Sequence, residues 1–248
     1  CSSDLFFHNK LKLFTSFFVP VFLVIVLGRG LTSIIPFSDM GFDFEKFLYS
    51  GVLVLSILVA VFDSMISLVL DRETGFMREL SVSPLSKTGI AFGKILGATT
   101  RGVIQGILVL SVAGFVDIIF TFPFLINVLL IILLISFGSA CFAFLMTSMI
   151  DRVETFSFVS QIILSPTAFL SGAFFPLTRM PDWLQKFSLV NPVFYFVNLM
   201  RNVLFHNVFI SSKAVNVSYY SFEFSLIMSL LVTVICLSLS LIMFNNKK

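Results

Sequence analysis

Long apolar runs separated by short polar breaks fill most of this chain. Six runs are long enough to cross a bilayer, near 14–35, 48–70, 94–116, 124–149, 156–175 and 224–244. A crossing helix needs about 20 apolar residues at a rise of about 1.5 Å each. The runs are continuous rather than alternating by twos, which selects helices over the strands of a membrane barrel. The pattern predicts an all-α, polytopic membrane protein with six transmembrane helices in one domain over residues 1–248. A further stretch, Val193 to Phe209, is apolar but too short for a comfortable crossing. Asn198, Arg201, Asn202 and His206 also interrupt it.

The longest polar stretch on one side runs from Asp71 to Ser86. It predicts a short amphipathic helix over 71–83. Asp71 can cap it, Phe76, Met77 and Leu80 share one side, and Arg72, Glu73, Arg78 and Glu79 occupy much of the rest. Pro84 ends it by pushing Ser83 out of the helical region. By periodicity alone this helix is either a surface anchor of the loop or a lever moved by a soluble partner.

Charge sets the orientation. With an even number of spans, both termini share a side. That side holds Lys10, Lys12, Arg72, Arg78, Lys87, Lys94, Arg101, Arg152, Lys247 and Lys248. The other side keeps Arg29, Lys46, Arg179, Lys186, Arg201 and Lys213. The richer side is cytoplasmic by the positive-inside rule, and the amphipathic helix lies there. A net charge of +3 in a chain that is 58% hydrophobic and 12% charged implies no nucleic-acid partner. The chain opens on Cys1, which fits a piece of a longer chain better than a lipidated end, since lipidation would place this terminus outside. Cys141 and Cys236 fall inside spans, and the three cysteines offer neither a disulfide framework nor metal spacing.

Catalytic patterns do not emerge. His8 and His206 have no cysteine or carboxylate at ligand spacing. The nearest approach to a phosphate loop, Gly89 to Ile95, has one residue too few between its glycines. It also places Ile95 where a magnesium-binding Ser or Thr must stand. No ATP hydrolysis by this chain alone is expected. Gly89, Gly93 and Gly97 recur every fourth residue, and Gly102 and Gly106 repeat the spacing, predicting a shallow stripe for close helix packing. Two charges, Asp63 and Arg101, fall inside spans at matched depth, Asp63 roughly 10 Å from the cytoplasmic edge. They are expected to pair, because a lone charge there costs about 2.5–3.5 kcal/mol on insertion scales.

Two stretches carry a resemblance. LVLDRETGFMRELSVSPLSKTGIAFGKILGATTRGVIQG is similar to the signature of type-2 ABC exporter permeases, the membrane subunits of drug, polysaccharide and Nod-factor exporters. LSPTAFLSGAFFPLTRMPDWLQKFSLVNPVFYFVNLMRNVL resembles their fifth span and following external segment. The resemblance implies a permease subunit of an exporter in the plasma or inner membrane, paired with a second permease as a homodimer. It implies separate ATP-binding subunits that carry ATP and magnesium, with no cofactor on this chain. It makes 71–83 a coupling helix, with Asp71, Arg72, Glu73, Gly75, Glu79 and Pro84 at motif positions and Phe76, Met77 and Leu80 on its apolar side. It also implies that part of the external segment, 176–222, is re-entrant. There Trp183 suits an outer interfacial belt, and Trp183, Asn191, Pro192 and Arg201 are candidates for an exit gate. The competing readings are a secondary transporter driven by an ion gradient through Asp63 and a membrane-embedded enzyme acting on lipid. Broken-helix repeats and catalytic clusters, which those readings want, are not evident.

Overall fold

The computed structural model describes residues 18–30, 43–75, 87–116, 121–206 and 219–246, and its regular structure there is helical, with no strand among the described residues. The axis of the bundle is α2 (Phe44–Glu73), reached after a short apolar helix, α1 (Phe18–Gly28), that winds as a π-helix over Val24–Arg29. Asp43 starts α2 as an N-cap, its carboxylate accepting from the amides of Glu45 at 3.0 Å and Lys46 at 3.4 Å. Thirty residues make a rod of about 45 Å, longer than the hydrocarbon core of about 30 Å. Between Phe44 and Asp71, α2 exposes just Val59, Asp63 and Leu70, spaced along one stripe. Every other face is covered, by α1 and by α3 (Lys87–Leu110), α4 (Phe122–Met149), α5 (Val153–Leu170) and α7 (Pro192–His206).

Helix ends follow local rules. Pro123 stands in the first turn of α4, where its missing N–H is not needed. Gly75, with φ +79°, ends α2 in a left-handed turn, and Gly172, with φ +71°, does the same after α5. The chain then forms α6 (Asp182–Val190), turns at Asn191, and enters α7. The last helix, α8 (Phe222–Asn246), packs on α4 and α7.

Among the described residues, four helices are long and apolar enough to cross a membrane: Phe44–Glu73, Phe122–Met149, Val153–Leu170 and, within α8, Phe222–Phe244. The expected spans at 94–116 and 14–35 look different. α3 begins at Lys87, ends at Leu110, and carries Lys94, Thr99, Thr100, Arg101 and Gln105 along its length. The described part of the first span is short. Residues 76–86, with Phe76, Met77, Glu79, Leu80 and Pro84, lie outside the described residues.

Two expectations need correction. Asp71 does not cap a new helix: α2 runs unbroken through Glu73, because nothing interrupts its hydrogen bonds before Thr74 and Gly75. The glycine stripe of α3 is split. Gly93 and Gly97 face open space, with nothing within 4 Å of a Cβ built there. Gly102 and Gly106 press on α2 and α4, where such a Cβ would stand 2.8 Å from Val61 and 2.7 Å from Ile132. Positions 93 and 97 lie more than a helical turn from 102 and 106 and emerge on a different side, since α3 offers α2 and α4 only one face.

Candidate functional site

Consecutive side chains on a helix point about 100° apart, so three charged residues in a row address three directions. At the end of α2, Asp71, Arg72 and Glu73 each reach a different helix. The Lys94 ammonium of α3 donates to the Asp71 carboxylate at 2.5 Å. Arg72 donates through Nη1 to the carbonyl of Thr147 at 2.5 Å and of Ile150 at 3.4 Å, at the C-terminal end of α4. A helix C-terminus offers unpaired carbonyls and a partial negative charge, which suits a guanidinium. The same guanidinium lies 5.4 Å from the Phe244 ring of α8 and 4.0 Å from the Asp151 carboxylate. Glu73 accepts the Val153 amide at 3.0 Å, an orphan donor in the first turn of α5 that no side chain of the N-cap, Arg152, satisfies. Five helix ends therefore meet at one triplet.

The opposite end of the bundle is built around α7. Its 15 residues span about 22 Å, and positions 193–201 are all buried. Asn191 and Pro192 start it. The Asn191 side chain accepts the Val193 amide at 3.0 Å and donates to the Thr167 carbonyl at 2.8 Å, one residue beyond Pro166 of α5. Arg201 is 4% exposed. Its guanidinium lies 3.7 Å from the Phe47 ring, its Nη2 donates to the Gly172 carbonyl at 3.0 Å, and its Nε donates to the Ser50 hydroxyl at 3.4 Å. Trp183 has a different setting, 62% exposed on α6 and edge-on to Phe187.

Sequence reading missed Asn198. It donates to the Tyr220 carbonyl at 3.0 Å and the Ser225 hydroxyl at 2.6 Å, and accepts the Tyr219 amide at 2.9 Å. Asn202 adds a bond to the same Tyr220 carbonyl at 3.0 Å. The available signal was the spacing of Asn198, Arg201 and Asn202 at i, i+3 and i+4, which puts three polar groups on one helix face. Asn198→Leu keeps the volume but removes these three bonds. It should lower stability by about 3 kcal/mol, at about 1 kcal/mol for each lost bond, readable as a fall in thermal midpoint in detergent.

Asp63 stands on the open stripe of α2, and its charge acts on Arg101 of α3. Their neighbours Val61 and Gly102 touch, so the two charges share a level in the bundle. Together these groups fasten helices through hydrogen bonds, ion pairs and ring contacts, all of which can break and re-form as helices move.

Known proteins of like sequence include two whose names carry the words transport permease. The chain is 27% identical to Nodulation protein J of Sinorhizobium fredii, over 73% of this chain and 70% of that protein. It is 26% identical to the inner membrane transport permease YadH of Escherichia coli K12, over 78% and 77%. With ycf38 of Cyanophora paradoxa the identity is 27%, over 86% and 75%. The model of the ABC-2 type transporter family matches residues 4–205, which includes Asp71–Glu73 and Arg201. This chain therefore belongs to the ABC-2 type transporter family and is a multi-pass transport permease.

Proposed function

We propose that this permease forms half of an export path and takes its energy from a separate ATP-binding-cassette subunit, which holds the ATP and magnesium. The observation that carries the reading is the junction at Asp71–Glu73. There the segment between α2 and α3 emerges from the most buried helix of the bundle, beside the ends of α4 and α5. A push on residues 76–86 would reach the whole bundle through that joint. In this reading the segment is the coupling helix, with Phe76, Met77, Glu79 and Leu80 facing the ATPase and Pro84 ending it. Six crossings follow if α1 and α3 join the four apolar helices. α7 is then re-entrant, since about 22 Å does not span a core of about 30 Å.

Pairing with a second copy is supported by α5. Phe156 is its one fully buried residue, and its exposed positions include Gln161 and Ser165 beside Phe158, Ile162 and Phe169. Polar groups are costly against lipid, so this face suits a second permease or a hydrated path. A place in the cell's inner membrane agrees with the name of the Escherichia coli relative.

The test is ATPase activity in lipid, with the chain alone and with its candidate ATP-binding subunit. Silence alone, turnover in a stable complex, and at least a roughly tenfold loss with Glu79→Arg are expected, since a reversed charge in a docking groove costs more than 1.4 kcal/mol. Failure of every candidate ATPase to form a complex would overturn the reading. Asp63, open to the surroundings of α2, favours one second reading, transport driven by an ion gradient. Uptake or efflux that follows an imposed proton gradient without ATP, and stops in Asp63→Asn, would establish it.

A further inference from the structure

We propose that Asp71, Arg72 and Glu73 are an internal clasp that passes movement of the 76–86 segment to α3, α4 and α5, and that they do not form the docking face for an ATPase. The transmission half of this inference rests on the exporter reading above.

The clasp is read from where the polar atoms go. Lys94 occupies the Asp71 carboxylate, the α4 carbonyls occupy Arg72, and the Val153 amide occupies the Glu73 carboxylate. Asp71 and Arg72, committed inward in this way, have little left for a partner, while the exposed Glu73 spends one carboxylate oxygen on α5. The Arg72 side chain is only 11% exposed, lying between the end of α4 and the Phe244 ring. Phe244 in turn packs against Phe144 of α4 at 5.4 Å, so the guanidinium also bridges α4 to α8.

The three bonds differ in kind. Asp71–Lys94 is an ion pair between two half-buried side chains. Glu73 supplies the cap that α5 otherwise lacks. Arg72 holds α4 by its C-terminal carbonyls, while its Nη2 is buried with no acceptor among the described residues. Turning the last turn of α2 by a fraction of its 100° step would pull on all three helices at once. The left-handed Gly75 follows two residues after Glu73, so the segment that would be pushed joins the clasp through a residue free to change direction.

The experiment uses the full chain in lipid nanodiscs, alone and with its candidate ATP-binding subunit. In the chain alone, Glu73→Ala should raise hydrogen exchange at the amides of residues 153–156 roughly tenfold, the loss of one charge-assisted cap, with the rest of the bundle unchanged. Unchanged exchange there would overturn the clasp. In the complex, Asp71→Lys and Lys94→Asp should each leave co-purification intact but cut ATPase stimulation roughly tenfold, and the double exchange should restore it. Loss of co-purification in Asp71→Lys, unrepaired by the double exchange, would instead make Asp71 part of the docking face and overturn the proposal. If the unmodified chain binds no ATPase, the exporter reading fails while the exchange result still decides whether the clasp exists.

Discussion

Arg201→Ala should cost the folded chain on the order of 4 kcal/mol and remove most of the monodisperse protein recovered from membranes. The figure combines a cavity beside Phe47 of a few kcal/mol with an orphaned buried carbonyl at about 1–3 kcal/mol. Arg201 is buried at 4% exposure, and among the described residues no carboxylate balances it. Its charge rests on the Phe47 ring, the Gly172 carbonyl and the Ser50 hydroxyl. A desolvated guanidinium over an aromatic face is worth about 2 kcal/mol or more, and its planar fork reaches two acceptors at once. Arg201→Lys keeps the charge but loses the fork and the stacking, so it should fall between Ala and the natural residue. Thermal unfolding in detergent gives the ranking, and an Ala variant melting with the unmodified protein would show that the site is not a rivet.

Gly51→Val should be nearly as damaging, and for a reason a few ångströms away. A Cβ at Gly51 would lie 2.6 Å from the Cα, Cβ and carbonyl oxygen of Ala173, which are backbone or fixed to it. The turn after α5 would have to leave α2, taking with it the Gly172 carbonyl that Arg201 holds. Overpacking of this kind costs about 1–3 kcal/mol for a single methyl-sized step, so Gly51→Ala should already be measurable and Val worse. Gly97→Ala is the control. Nothing lies within 4 Å of its Cβ position, and alanine favours a helix by about 1 kcal/mol over glycine. In the chain alone it should be neutral or slightly stabilising.

The contrast between these glycines shows what could be read beforehand. Spacing marked Gly89, Gly93, Gly97, Gly102 and Gly106 as a packing stripe; Gly102 and Gly106 do pack closely, Gly93 and Gly97 do not, and Gly51 and Gly138, the last against Phe196 and Thr233, were not marked. A repeat of four places residues on one face of a helix but carries no information about which face meets a neighbour. α4 was legible almost to the residue, 124–149 against Phe122–Met149, because its run is uninterrupted and a Thr-Phe-Pro start precedes it. α3 was not. Its first turns are polar, and they are helical beside α2 with Ala91 buried and Lys94 bridged to Asp71. The helix read from Asp71 failed at its start for a related reason: a good capping residue was overridden by a helix already in progress.

The charged residues divide in the same way. That Asp71, Arg72, Glu73 and Arg201 need partners follows from their position beside or within apolar runs. Which partners they take does not. Lys94 is 23 residues from Asp71, Thr147 is 75 from Arg72, Val153 is 80 from Glu73, and Ser50 is 151 from Arg201.

From its residues alone, this chain was bound to be helical and to lie in a membrane. Continuous apolar runs belong in lipid, and lipid leaves each backbone amide no partner but its own helix. Which helix end is held by which charge, which glycines carry contact, and what surrounds a buried arginine were decided by packing. Those pairings depend on side chains far apart in sequence being brought within about 3 Å, and only the assembled bundle supplies that proximity.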